Sequence, residues 1–371
     1  MRVLMVSKAC IVGQYQTKLQ ALARHPDLEL TVVVPPFWQD ERGVVPLERG
    51  HTDGYRLQVE PLTLNGHFHL HFYPTLPNLM RRLRPHIVHI DEEPYNFATY
   101  HAARAAQSVQ AKTIFFTWQN IKRHYPPPFA WFQAYVFRRA AYAIAGNREA
   151  AEVLRAKNYH GPMRVIPQFG LDPDQFTPNH TARSANAPFR IGYIGRFVEE
   201  KGLEVLVRAV AGLQGDWELQ LLGGGPLKSK LKTWAQDLQI ADRVRIDKWL
   251  PSAEMPAYYR QLDLLVLPSL TCRNWKEQFG RILTEAMACE VPVIGSDCGE
   301  IPNVVGDAGL LVPEGDASAL RAQIESLCSN PERRATLGAR GRARVLKHFT
   351  QEQVAAETYE VYRHILVEET R

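Results

Sequence analysis

Cysteine is scarce in this chain. Five stand among 371 residues, Cys10, Cys272, Cys289, Cys298 and Cys328, and no two form a Cys-x-x-Cys pair. An odd number without that spacing argues against a disulfide framework and a zinc knuckle, and it fits a reducing cytoplasm. Long apolar runs are missing as well. The longest uncharged aromatic-rich run, Pro126 to Phe137, has 12 residues, and spanning a bilayer takes about 20. Arg2 precedes only a short apolar run and Lys8 follows it, so no secretory leader is read there. The net charge of +5 is mild, no RNA- or DNA-binding motif occurs, and nucleic acid drops out as a partner. What excess exists is one-sided. Residues 1–180 hold 20 Lys and Arg against 14 Asp and Glu, and residues 181–371 hold 24 against 25. Eleven of the 13 histidines also fall in the first part. The length suggests two or three domains, and the asymmetry points to two units with different partners.

One stretch organises the rest. Leu264 to Leu267 reads as a buried parallel strand that ends at Pro268. A loop follows, then helical spacing from Phe279 to Cys289, then a second strand, Val291 to Ile294. The loop of this βαβ unit sits at the carboxyl end of its first strand, where open α/β sheets bind ligands. Glu277 lies just before the helix and Glu285 within it. Gly280 at the helix mouth permits close backbone approach, and free amides there suit a diphosphate. The plainer alternative for either Glu is a helix cap.

Strand and helix patterns alternate from Arg2 to Ile166 and restart at Phe189. Residues 35–63 look irregular. In HFHLHFY, alternation places His67, His69 and His71 on one strand face, either a metal site or a polar face. Asp91-Glu92-Glu93 follows the strand His86 to Ile90, and magnesium binding competes there with favourable charge at a helix N-terminus and with acceptor contact. Lys122 to Arg139 combines cations with aromatics at 129, 131, 132, 135 and 137. It reads either as a lip that meets a membrane or lipid acceptor, or as a core helix capped by Arg138 and Arg139. Ser252 is read as the cap of a helix reaching Gln261. Thr177 to Pro188 has linker composition, and Gln351 to Val367 suits an amphipathic helix.

The string E-Q-F-G-R-x-L-x-E-A-M-A, followed by V-P-V-I-G-S-D-x-G, resembles the donor-site signature of the retaining GT-B glycosyltransferases of the GT4 family, glycosyl transferases group 1. That signature is a Glu, seven residues, then a second Glu, and Glu277 and Glu285 have this spacing. The resemblance implies a GT-B α/β fold of two Rossmann-like domains facing a central cleft. Residues 1–168 would be the acceptor domain, 169–188 a linker and 189–350 the nucleotide-sugar domain. Residues 351–371 would cross back to the N-terminal domain. It further implies transfer of a sugar from a UDP- or GDP-sugar to a hydroxyl of a carbohydrate, lipid or small-molecule acceptor. Configuration would be retained by front-face attack, without PLP, metal or another cofactor.

The resemblance assigns Arg196 and Lys201 to the leaving diphosphate, Glu285 to the ribose and Glu277 to the transferred sugar. Phe279, Gly280 and Arg281 belong to the signature. Gly224, in Gly223-Gly224-Gly225-Pro226, would lie under the nucleotide. Gly13 stands where relatives carry a glycine pair. Trp249 either stacks on the base or packs in the core. Gln119 occupies the place of a sugar-contacting His, with Asn120 beside it, and Glu92 is an acceptor contact. Two rival functions are a GT-B nucleotide-sugar epimerase or hydrolase, and a non-catalytic nucleotide-sugar-binding protein. The protein would be cytoplasmic or peripheral to a membrane.

Overall fold

A computed structural model describes residues 1–40, 43–178 and 187–367, so part of the expected linker, 179–186, and the last residues of the returning segment, 368–371, lie outside the described residues. The chain divides into two compact units, Met1–Gly170 with Gln351–Arg371, and Leu171–Thr350.

In the first unit, β1 (Arg2–Val6) leads through two single 3-10 turns into α1 (Thr17–Ala23). Then follow β2 (Glu29–Val34), β3 (Phe37–Asp40), β4 (Gly43–Pro46), β5 (Arg56–Val59), α2 (Leu76–Leu83) and β6 (Ile87–Ile90). The unit continues with α3 (Phe97–Ser108), β7 (Lys112–Thr117), α4 (Phe129–Arg139), β8 (Tyr142–Ala145), α5 (Arg148–Ala156) and β9 (Met163–Val165). Seven strands form one parallel sheet in the order β5-β2-β1-β6-β7-β8-β9, and β3 pairs with β4 as a separate antiparallel hairpin. The central strands are Val- and Ile-rich and buried on both faces, as a covered parallel sheet requires. The stretch 35–63 is therefore more ordered than its composition suggests. It contains the hairpin and a true edge strand, β5, paired through Thr31–Arg56 to Val34–Val59.

The second unit restarts the pattern. It has β10 (Phe189–Arg196), α6 (Leu203–Val210), β11 (Trp217–Gly224), α7 (Lys228–Asp237), β12 (Val244–Asp247), α8 (Met255–Tyr259) and β13 (Leu264–Leu267). Next come α9 (Arg281–Ala288), β14 (Val293–Ser296), α10 (Ile301–Val305), β15 (Leu310–Val312), α11 (Ala317–Cys328) and α12 (Pro331–His348). Its six parallel strands run β12-β11-β10-β13-β14-β15. Both sheets are doubly wound. The strand order reverses between β1 and β6 in the first and between β10 and β13 in the second.

The last helix, α13 (Gln351–Val367), belongs to the first unit. Its Val354, Val361, Tyr362 and Ile365 join the core beneath α1, and Tyr362 Oη lies 2.7 Å from His89 Nδ1. On the opposite face, α2, α3, α4 and α5 cover a second core. Ser252 is not a cap: α8 starts later, after Glu254. Among the described residues no helix is long and apolar enough to cross a membrane.

Candidate active site

Of the predicted donor residues, Arg196, Lys201 and Glu277 lie at the carboxyl ends of β10 and β13, whereas Gly224 ends β11, Trp249 follows β12 and Gly13 belongs to the first unit. After β10 the chain turns through Glu199–Lys201, and after β13 it passes Pro268 and Ser269. The two loops lock together through backbone. Leu270 N donates to Glu200 O at 2.8 Å. A Cβ on Gly202, whose φ is +65°, would come within 1.8 Å of Pro268 O. Only glycine fits so close an approach. This junction brings together Lys201 and Glu277, 76 residues apart: Lys201 Nζ forms an ion pair with Glu277 Oε2. The same oxygen accepts from Ser269 Oγ at 3.0 Å, and the ammonium lies 4.6 Å from the centre of the Trp275 ring. Glu277 is itself pinned, since Glu300 N donates to its carbonyl at 3.0 Å and a Cβ on Gly299 would lie 2.2 Å from that oxygen. Arg196, the last residue of β10, is 62% exposed and faces Glu200 at 3.7 Å.

Glu285 is buried on α9. Its Oε2 accepts from Tyr259 Oη at 2.6 Å, and its Oε1 meets Arg281 Nε at 2.7 Å. Gly280, in the left-handed region, is the N-cap of α9, so neither Glu occupies the cap position itself. Phe279 thus precedes the helix and packs edge-on against Phe349. The loop after β11 is tight on both sides of Gly224. Added Cβ atoms on Gly223 and Gly225 would meet Gly195 O at 2.0 Å and Phe197 O at 2.6 Å, but one on Gly224 would meet nothing within 4 Å. Packing does not demand glycine at 224: the space beside its Cα is open, while its carbonyl accepts from Phe197 N at 2.7 Å. Trp249 is 55% exposed and borders a groove of 340 Å³ with Gln220, Asp247 and Tyr258. The core-packing reading of Trp249 is therefore wrong.

The first unit places its candidates at the ends of β1, β6 and β7. Gly13 N donates to Glu48 Oε2 at 2.6 Å, so a carboxylate of the chain occupies the amide expected to face a phosphate. The three carboxylates after β6 diverge instead of converging on a metal. Asp91 accepts from Ser7 Oγ at 2.6 Å, Glu92 pairs with Lys8 and faces His71 at 3.6 Å, and Glu93 accepts from Thr117 Oγ1 and Trp118 N at 2.6 and 2.8 Å. Burial alone would raise all three. Lys8 and His71 outweigh it at Glu92, which falls to about 2, and at Glu93 burial wins, raising it to about 7.

Gln119 has a fixed amide. Its Oε1 accepts from Lys157 Nζ at 2.8 Å and its Nε2 donates to Tyr125 Oη at 3.1 Å. Burial lowers Lys157 to about 8. Asn120 Nδ2 donates to Glu149 at 3.2 Å. The three histidines do not share a strand face. Residues 64–70 form turns closed by the Thr63–Phe72 bridge, and His69 pairs with Asn96 while His71 turns to Glu92.

Ser269, Tyr259, Lys8, Glu48 and Lys157 were not found by sequence reasoning. Position at a strand end signals Ser269 and Lys8. Nothing in the sequence ties Glu48 to Gly13 or Lys157 to Gln119.

Comparison with known proteins agrees with this layout. The family described as "Glycosyl transferases group 1" matches residues 179–344, and "Glycosyltransferase Family 4" matches residues 18–174. The GDP-mannose-dependent alpha-(1-6)-phosphatidylinositol monomannoside mannosyltransferase of Mycolicibacterium smegmatis is 32% identical over 347 residues, covering 85% of each chain. Among solved structures, Anabaena HepE in complex with UDP superposes with a TM-score of 0.76 at 16% identity, over 98% of this chain and 100% of that one. Sucrose-phosphate synthase from Thermosynechococcus elongatus does so with a TM-score of 0.71 at 21% identity, over 99% and 100%. Two doubly wound units that match the two family models in turn, and a relative of this identity and coverage, place the chain in the glycosyl transferases group 1, GT4 glycosyltransferases of GT-B fold that draw their sugar from a nucleotide.

Proposed function

We propose that this chain transfers a hexose from a nucleoside-diphosphate hexose to a hydroxyl of a carbohydrate, lipid or small-molecule acceptor, with retained configuration. The observation that carries this reading is the Lys201–Glu277–Ser269 cluster at the reversal of the second sheet, with Glu285 eight residues further on. In this reading Arg196 and Lys201 take up the charge that grows on the leaving diphosphate as its bond to the sugar breaks. Glu285 accepts from the ribose hydroxyls in competition with Tyr259 and Arg281. Glu277 steadies positive charge near the anomeric carbon. A covalent glycosyl-enzyme is not invoked, because the two carboxylates serve different parts of the donor. The acceptor deprotonates onto the departing phosphate as it attacks from the same face. The two cations do the work a metal would do, and no cofactor is assigned.

The relative's name specifies GDP-mannose, and a structural neighbour holds UDP. GDP-mannose and UDP-glucose are therefore the first donors to test. Incubation with each donor and a panel of sugar and lipid acceptors, in EDTA, should release nucleotide only with acceptor and give an α-linked product by NMR. A β-linked product would overturn retention. Nucleotide release with no transfer would favour the hydrolase reading, and recovery only on adding magnesium would remove the metal-free assignment.

A further inference from the structure

Between Glu60 and Glu149 the only acidic residues are Asp91, Glu92 and Glu93, against ten Lys and Arg. All three carboxylates are spent on partners inside the first unit. The span therefore carries a cationic excess. Its helices α2, α3 and α4 lie over one face of the sheet, α2 against α3 and α3 against α4. Arg81 and Arg82 end α2, Arg104 stands on α3, Lys122 precedes α4, and Arg138 and Arg139 end it. All six are exposed, and among the described residues none of them meets a carboxylate.

The same face is apolar at one rim. α4 buries Val136 and packs Phe132, Tyr135 and Phe137, half-buried, against α3 and the core, and of its aromatics Trp131 alone is exposed. Trp131 is 66% exposed, and Phe68 and Leu70 in the adjoining loop are 47% and 38% exposed. That loop is fastened to α3 by Phe97 N donating to His69 O at 2.9 Å, and His69 lies 5.4 Å from the Phe129 ring of α4. The three exposed side chains thus border the cationic helices.

We propose that this face of the first unit docks on an anionic lipid bilayer. Trp131, Phe68 and Leu70 enter the interface, and the arginines of α2 and α4 lie at the level of the lipid phosphates. An aromatic and aliphatic rim beside unpaired cations is the composition that an interfacial surface requires. A polyanion such as a nucleic acid would use the cations but leave Leu70 and Phe68 in water. An acidic protein partner would be expected to carry the carboxylates this face lacks, but it offers no hydrocarbon layer to receive the rim.

Co-sedimentation of the full chain with phosphatidylcholine vesicles, with and without phosphatidylglycerol, tests the proposal. Binding should appear on the anionic vesicles, roughly tenfold or more stronger than on neutral ones, and weaken as salt shortens the reach of the charges. Arg138→Glu combined with Arg139→Glu should cut the partition coefficient by roughly tenfold or more. Trp131→Ser should lower it as well, whereas Arg208→Glu on the second unit should leave it unchanged. If the double variant fails to fold, quenching by brominated lipid in the unaltered chain, diminished in Trp131→Phe, supplies the same answer. No binding, equal binding to both vesicles, or binding to duplex DNA but not to vesicles would overturn the proposal.

Discussion

The first sheet reverses its order between β1 and β6 and the second between β10 and β13, and the two crevices are lined in different ways. In the second unit the side chains of the site stand on a tight backbone frame: loops after β10, β11 and β13 press together through glycines whose added Cβ atoms would strike carbonyl oxygens. In the first unit the lining is side chain. Glu48 occupies the Gly13 amide, Ser7 and Lys8 hold Asp91 and Glu92, and Lys157 holds Gln119. Backbone suits the part of a ligand that never varies, and side chains suit the part that does. Under the proposed function the diphosphate meets Arg196 and Lys201 held on the first kind of wall, and the acceptor meets the second.

That division can be broken most sharply at its two buried lysine–glutamate pairs. Lys201→Ala should lower kcat/KM by roughly 100- to 1000-fold, in the range found for removing one fixed donor to developing negative charge. Nucleoside-diphosphate affinity, read by calorimetry, should fall with it. Lys8→Ala also strands a buried carboxylate, but it should leave nucleotide affinity unchanged and act on acceptor KM. Equal loss of nucleotide affinity in both variants would abolish the distinction.

Next in size is a pair of glycines. Gly202→Ala puts a Cβ against the Pro268 carbonyl at positive φ, and should cost about 3 kcal/mol in denaturant unfolding. Gly13→Ala meets the Glu48 carboxylate oxygen at 3.0 Å, the far end of a flexible side chain, and should cost less than about 1 kcal/mol.

The neighbours Glu92 and Glu93 should respond oppositely to pH. Glu93 titrates near about 7 when folded and ordinarily near 4.5. Between those values the folded chain keeps a proton the unfolded chain has lost, so stability falls as pH rises from 4.5 to 7, by about 3 kcal/mol. Glu92, held at about 2, contributes stability that is present above 4.5 and lost as pH falls toward 2. Unfolding of Glu93→Gln across pH 4–8 should lack the first slope, and a slope left intact would assign it to another group. Glu285→Ala tests the donor side by kinetics. It removes contact with ribose in ground and transition states alike, so it should raise donor KM by roughly 10- to 100-fold with kcat little changed. Loss of melting temperature with normal kinetics would reduce Glu285 to a structural partner of Tyr259.

Much of the second unit was legible because its chemistry is local. Glu277, Gly280 and Glu285 lie within nine residues, and the strand before them is an unbroken apolar run. The first unit was less readable for two physical reasons. Its polar contacts join distant segments, as when Gln16 Nε2 donates to Glu48 O across 32 residues. Its local patterns also mislead. HFHLHFY alternates like a strand, but Gly66 at a φ of +92° turns the chain and the segment closes as a loop. Prolines at 35, 36 and 46 masked the hairpin of β3 and β4, which tolerates them at its ends.

The helix α13 also sets an order of events during synthesis. The first unit is interrupted in sequence: its core includes Val354, Val361, Tyr362 and Ile365, and residues 171–350 must be made before these exist. At about 5–20 residues per second the ribosome spends roughly 9–36 s on that span. Throughout, the sheet face that carries His89 has no Tyr362 to cover it. The second unit is contiguous and needs none of residues 351–371 to close. Nascent chains stalled with residue 350 outside the exit tunnel should therefore resist protease from 171 onward while the first 170 residues are still cut. The N-terminal unit, translated first, is finished last.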